Sequence, residues 1–324
     1  MTEKNIHKSD QIITEKPKVS IVIPLLNEEM SLNELSKGIS DALEDISYEI
    51  IFVDDGSTDA SWKIIESLSG NNGVVKGVRF RRNYGKSDAL QAGFEVSEGD
   101  YVITMDADLQ DDPKEIPALI EMLESGSDLV SGWKKERHDP ISKTVPSRFF
   151  NAVTRWTTGI KLHDFNCGLK AYKREVVDSI YLYGEMHRYV PLLAKWKGFG
   201  KIDEKVVQHH ERKYGKTKFG LSRFLNGFLD LVTLLFVHRY MQRPMHFFGS
   251  IGVVLIILGS SISAWLSWLK IAYGEPLANR PLLFLGILLI LVGVQFFSIG
   301  FLGEMINKGQ VKHQKPEIDK KVGL

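Results

Sequence analysis

Tyr101-Val-Ile-Thr-Met-Asp-Ala-Asp-Leu-Gln-Asp-Asp-Pro113 decides the fold. Its opening is an apolar run of strand length that stops on a carboxylate. In an extended chain, residues two apart face the same way. Asp106, Asp108 and Gln110 are therefore expected to present three oxygen-bearing groups together. Hard oxygens suit Mg2+ or Mn2+, ions that typically bridge to substrate phosphates instead of sitting in an all-protein cage. The alternative is a capped helix start that holds no ligand.

The pattern recurs upstream. Val19 to Pro24 reads as a first strand, with Leu32, Leu35, Ile39 and Leu43 marking a helix after it. Tyr48 to Val53 reads as a second strand and ends in Asp54-Asp55-Gly56. Ser57, Thr58 and Asp59 supply N-cap chemistry for a helix through Ile64, Ile65 and Leu68. Val74 to Phe80 and Ser87 to Val96 form a third strand and helix, joined by the basic loop Arg81 to Lys86. Strands alternating with helices predict an α/β domain with a mostly parallel central sheet. Ligands of such sheets gather beyond the strands' carboxyl ends, where all these polar clusters fall. Gly85-Lys86-Ser87 imitates the end of a P-loop, but Phe80 stands where the first glycine is needed. No strand runs into a G-x-G-x-x-G turn either, so ATPase and dinucleotide-binding readings lose their support.

The 324 residues exceed what this domain needs. Phe247 to Leu269 and Pro281 to Gly303 carry no charged residue. Each run is longer than the roughly 20 apolar residues that cross a hydrocarbon core, so two membrane-spanning helices are expected. His238, Arg239 and Arg243 precede the first span, and Lys308, Lys312, Lys315, Lys320 and Lys321 follow the second. The positive-inside rule then puts both termini in the cytoplasm and the connector outside. Between Phe219 and Tyr240, Leu221, Phe224, Leu225, Phe228, Leu231, Val232 and Leu235 recur at helical spacing. They form an apolar face suited to the membrane interface or to packing on the soluble domain. The first eighteen residues lack the apolar core of a signal peptide and read as a mobile tail. Lysine plus arginine total 41 against 40 acidic residues, a balance that excludes general nucleic-acid binding. The single cysteine, Cys167, cannot form an internal disulfide; it fits packing in a cytosolic domain.

Val19-Ser-Ile-Val-Ile-Pro-Leu-Leu-Asn-Glu-Glu29, Val53-Asp-Asp-Gly-Ser-Thr-Asp59, Arg82-Asn-Tyr-Gly-Lys86 and Met105-Asp-Ala-Asp-Leu-Gln-Asp-Asp-Pro113 together resemble the family-2 glycosyltransferases of GT-A fold. The subgroup they resemble comprises dolichol-phosphate mannosyltransferases and bacterial polyprenyl-phosphate glucosyltransferases. The resemblance implies inverting, metal-dependent transfer of a hexose from a UDP- or GDP-sugar to a polyprenyl phosphate, at the cytoplasmic face of the plasma membrane. It assigns Pro24, Leu26, Glu28, Val53 and Asp55 to the nucleoside pocket, with Lys86, Asp106 and Ala107 also near the donor. Asp106, Asp108 and Gln110 become the site for Mg2+ or Mn2+. Lys134 stands where the family usually has an arginine, keeping the charge without the bidentate fork. Arg148 matches a basic position. Arg212, Gly215, Thr217 and Lys218 fit a loop that folds over the donor diphosphate. Asp164-Phe-Asn-Cys-Gly168 resembles the acceptor-side motif, with Asp164 as the candidate base. A lipid phosphate is largely a dianion at neutral pH, so Asp164 is equally suited to orienting the reactants. His187 and Arg188 are further candidates for the acceptor phosphate, beside an ordinary helix start.

The expected organisation is a tail over 1–18, a catalytic domain over 19–218, an interfacial stretch over 219–245, a two-span anchor over 246–304 and a cytoplasmic tail over 305–324. Homo-oligomerisation is left open. Two rival readings stand beside this one. A processive polysaccharide synthase would carry a Q-x-x-R-W segment, yet Ala152 precedes Arg155-Trp156 where the glutamine belongs. A non-catalytic nucleotide-sugar-binding membrane protein would show degenerate metal or base positions, and Asp106, Asp108, Gln110 and Asp164 are all present.

Overall fold

The structure, a computed structural model, describes residues 16–135, 151–156, 158–211, 213–214, 245–274, 276, 281–308 and 318–323. Arg148, Arg212, Gly215, Thr217, Lys218 and almost all of the interfacial stretch over 219–245 lie outside the described residues.

Apolar strands alternate with amphipathic helices from the start. Strand β1 (Val19–Leu25) leads to helix α1 (Leu32–Ala42), then β2 (Tyr48–Asp54), α2 (Ser61–Asn71), β3 (Val75–Phe80), α3 (Lys86–Val96) and β4 (Tyr101–Thr104). All match the predicted elements within a residue or two, except that α2 starts at Ser61, later than the capping residues imply. Ala60 occupies its N-cap position, and Asp59 Oδ1 accepts from Ser61 N at 2.9 Å. Beyond lie α4 (Ile116–Glu124), β5 (Leu129–Trp133), β6 (Lys170–Lys173), α5 (Arg174–Ser179), α6 (Val190–Trp196) and β7 (Ile202–Val206).

The eight strands, counting β8 (Ile318–Val322), form one sheet in the order β7-β5-β6-β4-β1-β2-β3-β8. The β1–β2, β2–β3, β1–β4 and β5–β7 pairs are parallel, while β6 and β8 run antiparallel to their neighbours. Because side chains alternate along a strand, each sheet face buries its own core. On one face Ile21, Ile23, Ile50 and Phe52 meet Leu35, Ile39, Ile65 and Leu119. On the other, Val22, Ile51, Val53 and Val78 meet Leu90, Phe94, Val176 and Val190.

The C-terminal residues correct one expectation. The stretch 305–324, expected to be a cytoplasmic tail, holds an edge strand: Ile318–Val322 runs along β3, pairing Gly77 with Val322 and Arg79 with Lys320. Two compact units result: residues 1–224 with 315–324, and residues 225–314. Within the second unit, a π-helical turn (Met245–Gly249) runs into α7 (Ser250–Tyr273), which pairs with α8 (Pro281–Lys308). Both helices are long and apolar enough to cross a membrane, with mean hydropathy 2.1 and 2.7. Most of their apolar surface is exposed, including Leu258, Trp265, Phe284 and Leu288, unlike a helix in a soluble core.

Candidate active site

Each loop at the carboxyl end of β1 to β4 is fastened to the next. Asn27, in the left-handed region at φ 56°, lies two residues past the end of β1. Its backbone N–H donates to Ser57 Oγ at 2.8 Å, and its side-chain oxygen accepts from Thr58 N at 2.8 Å. Glu29 and Asp59 exchange further bonds across the gap: Ala60 N donates to Glu29 Oε2 and Glu29 N to Asp59 Oδ2. The β1 and β2 loops therefore form one rigid lip. Asp54 is fully buried and accepts from Ser57 N at 2.7 Å, which makes it a turn-former.

Asp55 fastens the lip to the basic loop after β3. Its carboxylate accepts from the backbone N–H groups of Tyr84 at 2.7 Å and Gly85 at 2.9 Å. Burial pushes its carboxyl up to about 6 against the pull of those two hydrogen bonds. Gly56, at φ 78°, packs so tightly that a Cβ there would lie 2.6 Å from the Arg82 carbonyl carbon. Both carboxylate oxygens thus serve the loop backbone, a structural duty beside the nucleoside contact expected from sequence.

The loop in turn delivers Lys86 to β4. Lys86 Nζ forms an ion pair with Asp106 Oδ1, the two side chains being 30% and 32% exposed. Burial opposes ionisation of Asp106, but Lys86 and, more distantly, Lys134 and Lys170 hold its carboxyl well below the usual range. The segment after Asp106 is a turn and not the extended strand expected, with Leu109 at φ 60°, a region that non-glycine residues seldom occupy. Gln110 N donates to Asp108 Oδ1 at 3.2 Å, closing that turn. Burial still alternates: Asp106, Asp108 and Gln110 are partly exposed while Ala107 and Leu109 are buried.

Among the described residues no group of three or more His, Cys, Asp or Glu is placed to hold a metal ion. Asp106 and Asp108 nevertheless fit a divalent cation that takes its remaining ligands from a substrate diphosphate, as hard cations at phosphate sites do. The partly exposed Asp106 carboxylate is already paired directly with the ammonium of Lys86.

The 164–168 segment closes the other side. Asp164 is 1% exposed, and Asn166 N donates to its Oδ1 at 3.1 Å. A Cβ built on Gly168 would collide with the Asp106 carboxylate, so only glycine admits this approach. Thr104 Oγ1 donates to the Gly168 carbonyl at 2.9 Å. Cys167 is buried as expected, its thiol pushed up to about 12 by burial.

Beneath this turn are cations that sequence reading left out or placed elsewhere. Lys170, on β6, is 3% exposed and donates from Nζ to the Cys167 carbonyl; burial lowers its pKa. Its only sequence signal is a lysine in the apolar run Gly-Leu-Lys-Ala-Tyr. Lys134 Nζ lies 2.7 Å from the buried Asp111 Oδ1, which raises the lysine's pKa against the effect of burial. The expected donor cation is thus paired with a buried carboxylate.

Of the remaining candidates, Pro24 lies opposite Val53 in the β1–β2 register. Pro24, Leu26 and Glu28 are partly exposed at the lip, whereas the Val53 side chain is fully buried in the sheet core. His187 and Arg188 are buried on a short 3-10 turn, and His187 Nδ1 pairs with Ser87 Oγ at 3.0 Å.

Comparison with known proteins accords with this arrangement. The chain is 40% identical over 296 residues to dodecaprenyl-phosphate galacturonate synthase of Rhizobium johnstonii, covering 89% of this chain and 87% of that protein. It is 37% identical over 295 residues to undecaprenyl-phosphate 4-deoxy-4-formamido-L-arabinose transferase of Pseudomonas aeruginosa, covering 90% and 85%. Among solved structures, it resembles glucosyl-3-phosphoglycerate synthase from Mycobacterium tuberculosis in complex with Mn2+, UDP-glucose and glycerol 3-phosphate. That match has a TM-score of 0.52 at 24% identity and covers 68% of this chain and 79% of that one, a likeness of GT-A-like fold. The profile of glycosyl transferase family 2 matches residues 20–181. With these motifs joined at one end of the sheet, the chain belongs to glycosyl transferase family 2 and is a glycosyltransferase.

Proposed function

We propose that this enzyme transfers a single sugar, with inversion, from a nucleoside-diphosphate sugar to a polyprenyl phosphate at the membrane surface. The observation that carries the reading is the fastened ring of strand-end loops, in which Asp55 fixes the basic loop and that loop sets Lys86 against Asp106. The acceptor class rests on the two relatives, a dodecaprenyl-phosphate synthase and an undecaprenyl-phosphate transferase, together with the two exposed apolar helices. The two relatives differ in the sugar, one a uronate and one an amino-pentose derivative, so the hexose expected from sequence is tested beside both.

In this reading Pro24, Leu26, Glu28 and Asp55 form the nucleoside side. Asp106, Asp108 and Gln110, with Ala107, form the diphosphate side and hold Mg2+ or Mn2+. Bound there, the cation would stabilise charge growing on the departing diphosphate. Lys86 faces the same charge, and Arg148, Arg212 and Lys218 belong to the same proposal from outside the described residues. Preorganised cations are the largest lever such a displacement offers. The acceptor phosphate, already a dianion, needs no strong base. Asp164 accordingly acts by shaping the turn that seats Gly168 against Asp106.

The test is to incubate membranes containing the enzyme with labelled UDP- and GDP-sugars, including an activated galacturonate and 4-deoxy-4-formamido-arabinose. A single sugar on an alkali-stable polyprenyl phosphate is expected, and Asp108→Ala should abolish it while leaving a folded, membrane-bound protein. A long polymer, or unchanged turnover in the variant, would refute the reading.

A further inference from the structure

Asp106 is closed in on two sides. Gly168 packs against its carboxylate with no room for a side chain, and Lys86 holds Oδ1 from the direction of the basic loop. The other two lysines near this carboxylate have partners of their own: Lys134 is paired with Asp111, and Lys170 donates to the Cys167 carbonyl. Lys86 is also not placed by chance. It is the first residue of α3, and the backbone immediately before it is clamped by both oxygens of Asp55.

A divalent cation arriving alone at Asp106 would have to settle beside an ammonium that already neutralises the carboxylate. Like charges in a partly shielded site repel strongly. A nucleoside diphosphate changes the balance, since its phosphate oxygens can receive the lysine and the cation together.

We infer that Lys86 is a built-in counter-ion that occupies Asp106 until donor arrives, making divalent-cation binding depend on the nucleoside diphosphate. This rests on the metal site of the proposed function and adds an order to it: cation and donor enter together, and Lys86 passes from Asp106 to the diphosphate. Lys86 is thereby a specificity device as well as a donor contact, because it keeps the carboxylate from binding a free cation.

The experiment titrates the full-length, detergent-solubilised protein with Mn2+ and follows free Mn2+ by electron paramagnetic resonance, with and without UDP or GDP. For the wild type, Mn2+ alone should bind at least about tenfold more weakly than Mn2+ with the matching diphosphate. Lys86→Met should tighten the binding of Mn2+ alone by at least about tenfold, the scale expected for removing one adjacent charge. Lys86→Arg should keep the wild-type weakness, which separates loss of charge from damage to the loop. If Lys86→Met binds Mn2+ alone no more tightly than the wild type, the counter-ion role is wrong, while diphosphate-dependent binding by the wild type leaves the metal site standing. If the wild type binds no Mn2+ with either diphosphate, the metal site itself is wrong and this inference goes with it.

Discussion

At the residue scale, the site is a set of short side chains spent on holding loops, and two of them give sharp tests. Asp55 is 5% exposed with a carboxyl raised to about 6. A carboxyl whose folded pKa lies above its unfolded one favours the fold at low pH, and that contribution is lost as pH rises from near 4 to about 6. Comparing wild type with Asp55→Asn isolates it. As pH falls from 6 toward 4, the wild type should gain stability over the variant by up to about 1.4 kcal/mol per pH unit, read from denaturation midpoints. A gap that does not move with pH would mean that Asp55 is not buried in this way. The variant should also lose turnover, because an amide nitrogen would face the Tyr84 or Gly85 N–H. Gly168→Ala tests the opposite kind of constraint. Its methyl must push the Asp106 carboxylate aside, and displacements of an ångström cost roughly 10²-fold in rate. Turnover should fall on that scale while the melting temperature stays within a few degrees. Full activity would show that Asp106 does not need its present position.

At the scale of elements, sequence and structure part company for identifiable reasons. β1, β2 and β4 were legible because each is a largely apolar run followed closely by Asp or Asn, and β3 because Val75, Val78 and Phe80 stand between a glycine turn and the basic loop. β6 and β7 were not, since Lys-Ala-Tyr-Lys and Ile-Asp-Glu-Lys-Val carry at least as many charges as apolar residues. β8, Ile-Asp-Lys-Lys-Val, looks like a solvated tail because an edge strand buries little. Within the site, spacing offered Asp106, Asp108 and Gln110 and the family resemblance offered Pro24, Leu26, Glu28, Val53 and Asp55 as candidates, but the partners of these residues could not be read from sequence. Lys86 meeting Asp106, or Gly168 fitting beneath it, depends on which strands become neighbours. The helix pair was legible by length and composition, yet not the seam between its helices. Gly252 and Gly259 stand seven residues apart on α7, as do Gly286, Gly293 and Gly300 on α8. A Cβ on Gly259 would lie 2.5 Å from the Gly286 carbonyl oxygen, so the backbones touch there, as small residues permit between membrane helices. Gly259→Leu should destabilise the pair by about 1–3 kcal/mol, measured as loss of helical signal on heating. Leu258→Ala, at a position 51% exposed, should stay within about 0.5 kcal/mol. Equal effects of the two variants would deny the seam.

At the scale of the whole molecule, the chain leaves the catalytic unit, runs through the two apolar helices and returns to the catalytic sheet as β8. If α7 and α8 cross a bilayer, two spans put both ends of the hairpin on one side of it. The positive-inside reading names that side as the cytoplasm. Spanning and side can be tested together because the protein has one cysteine, Cys167, which is buried and gives a silent background for thiol labelling. Asn279→Cys places a thiol in the connector between the helices, and Lys320→Cys places one on the exposed face of β8. In intact cells a membrane-impermeant maleimide should label position 279 and leave position 320 unlabelled until the membrane is permeabilised. Labelling of position 320 in intact cells would place β8, and the catalytic sheet that it completes, on the outside. Labelling of both positions only after permeabilisation would mean that the helix pair does not span. Deleting 318–324 supplies the energetic counterpart. It uncovers the edge of β3, and a loss of about 1–3 kcal/mol should lower the melting temperature of the catalytic unit by several degrees. An unchanged melting temperature would mean that β8 rests on the sheet without supporting it.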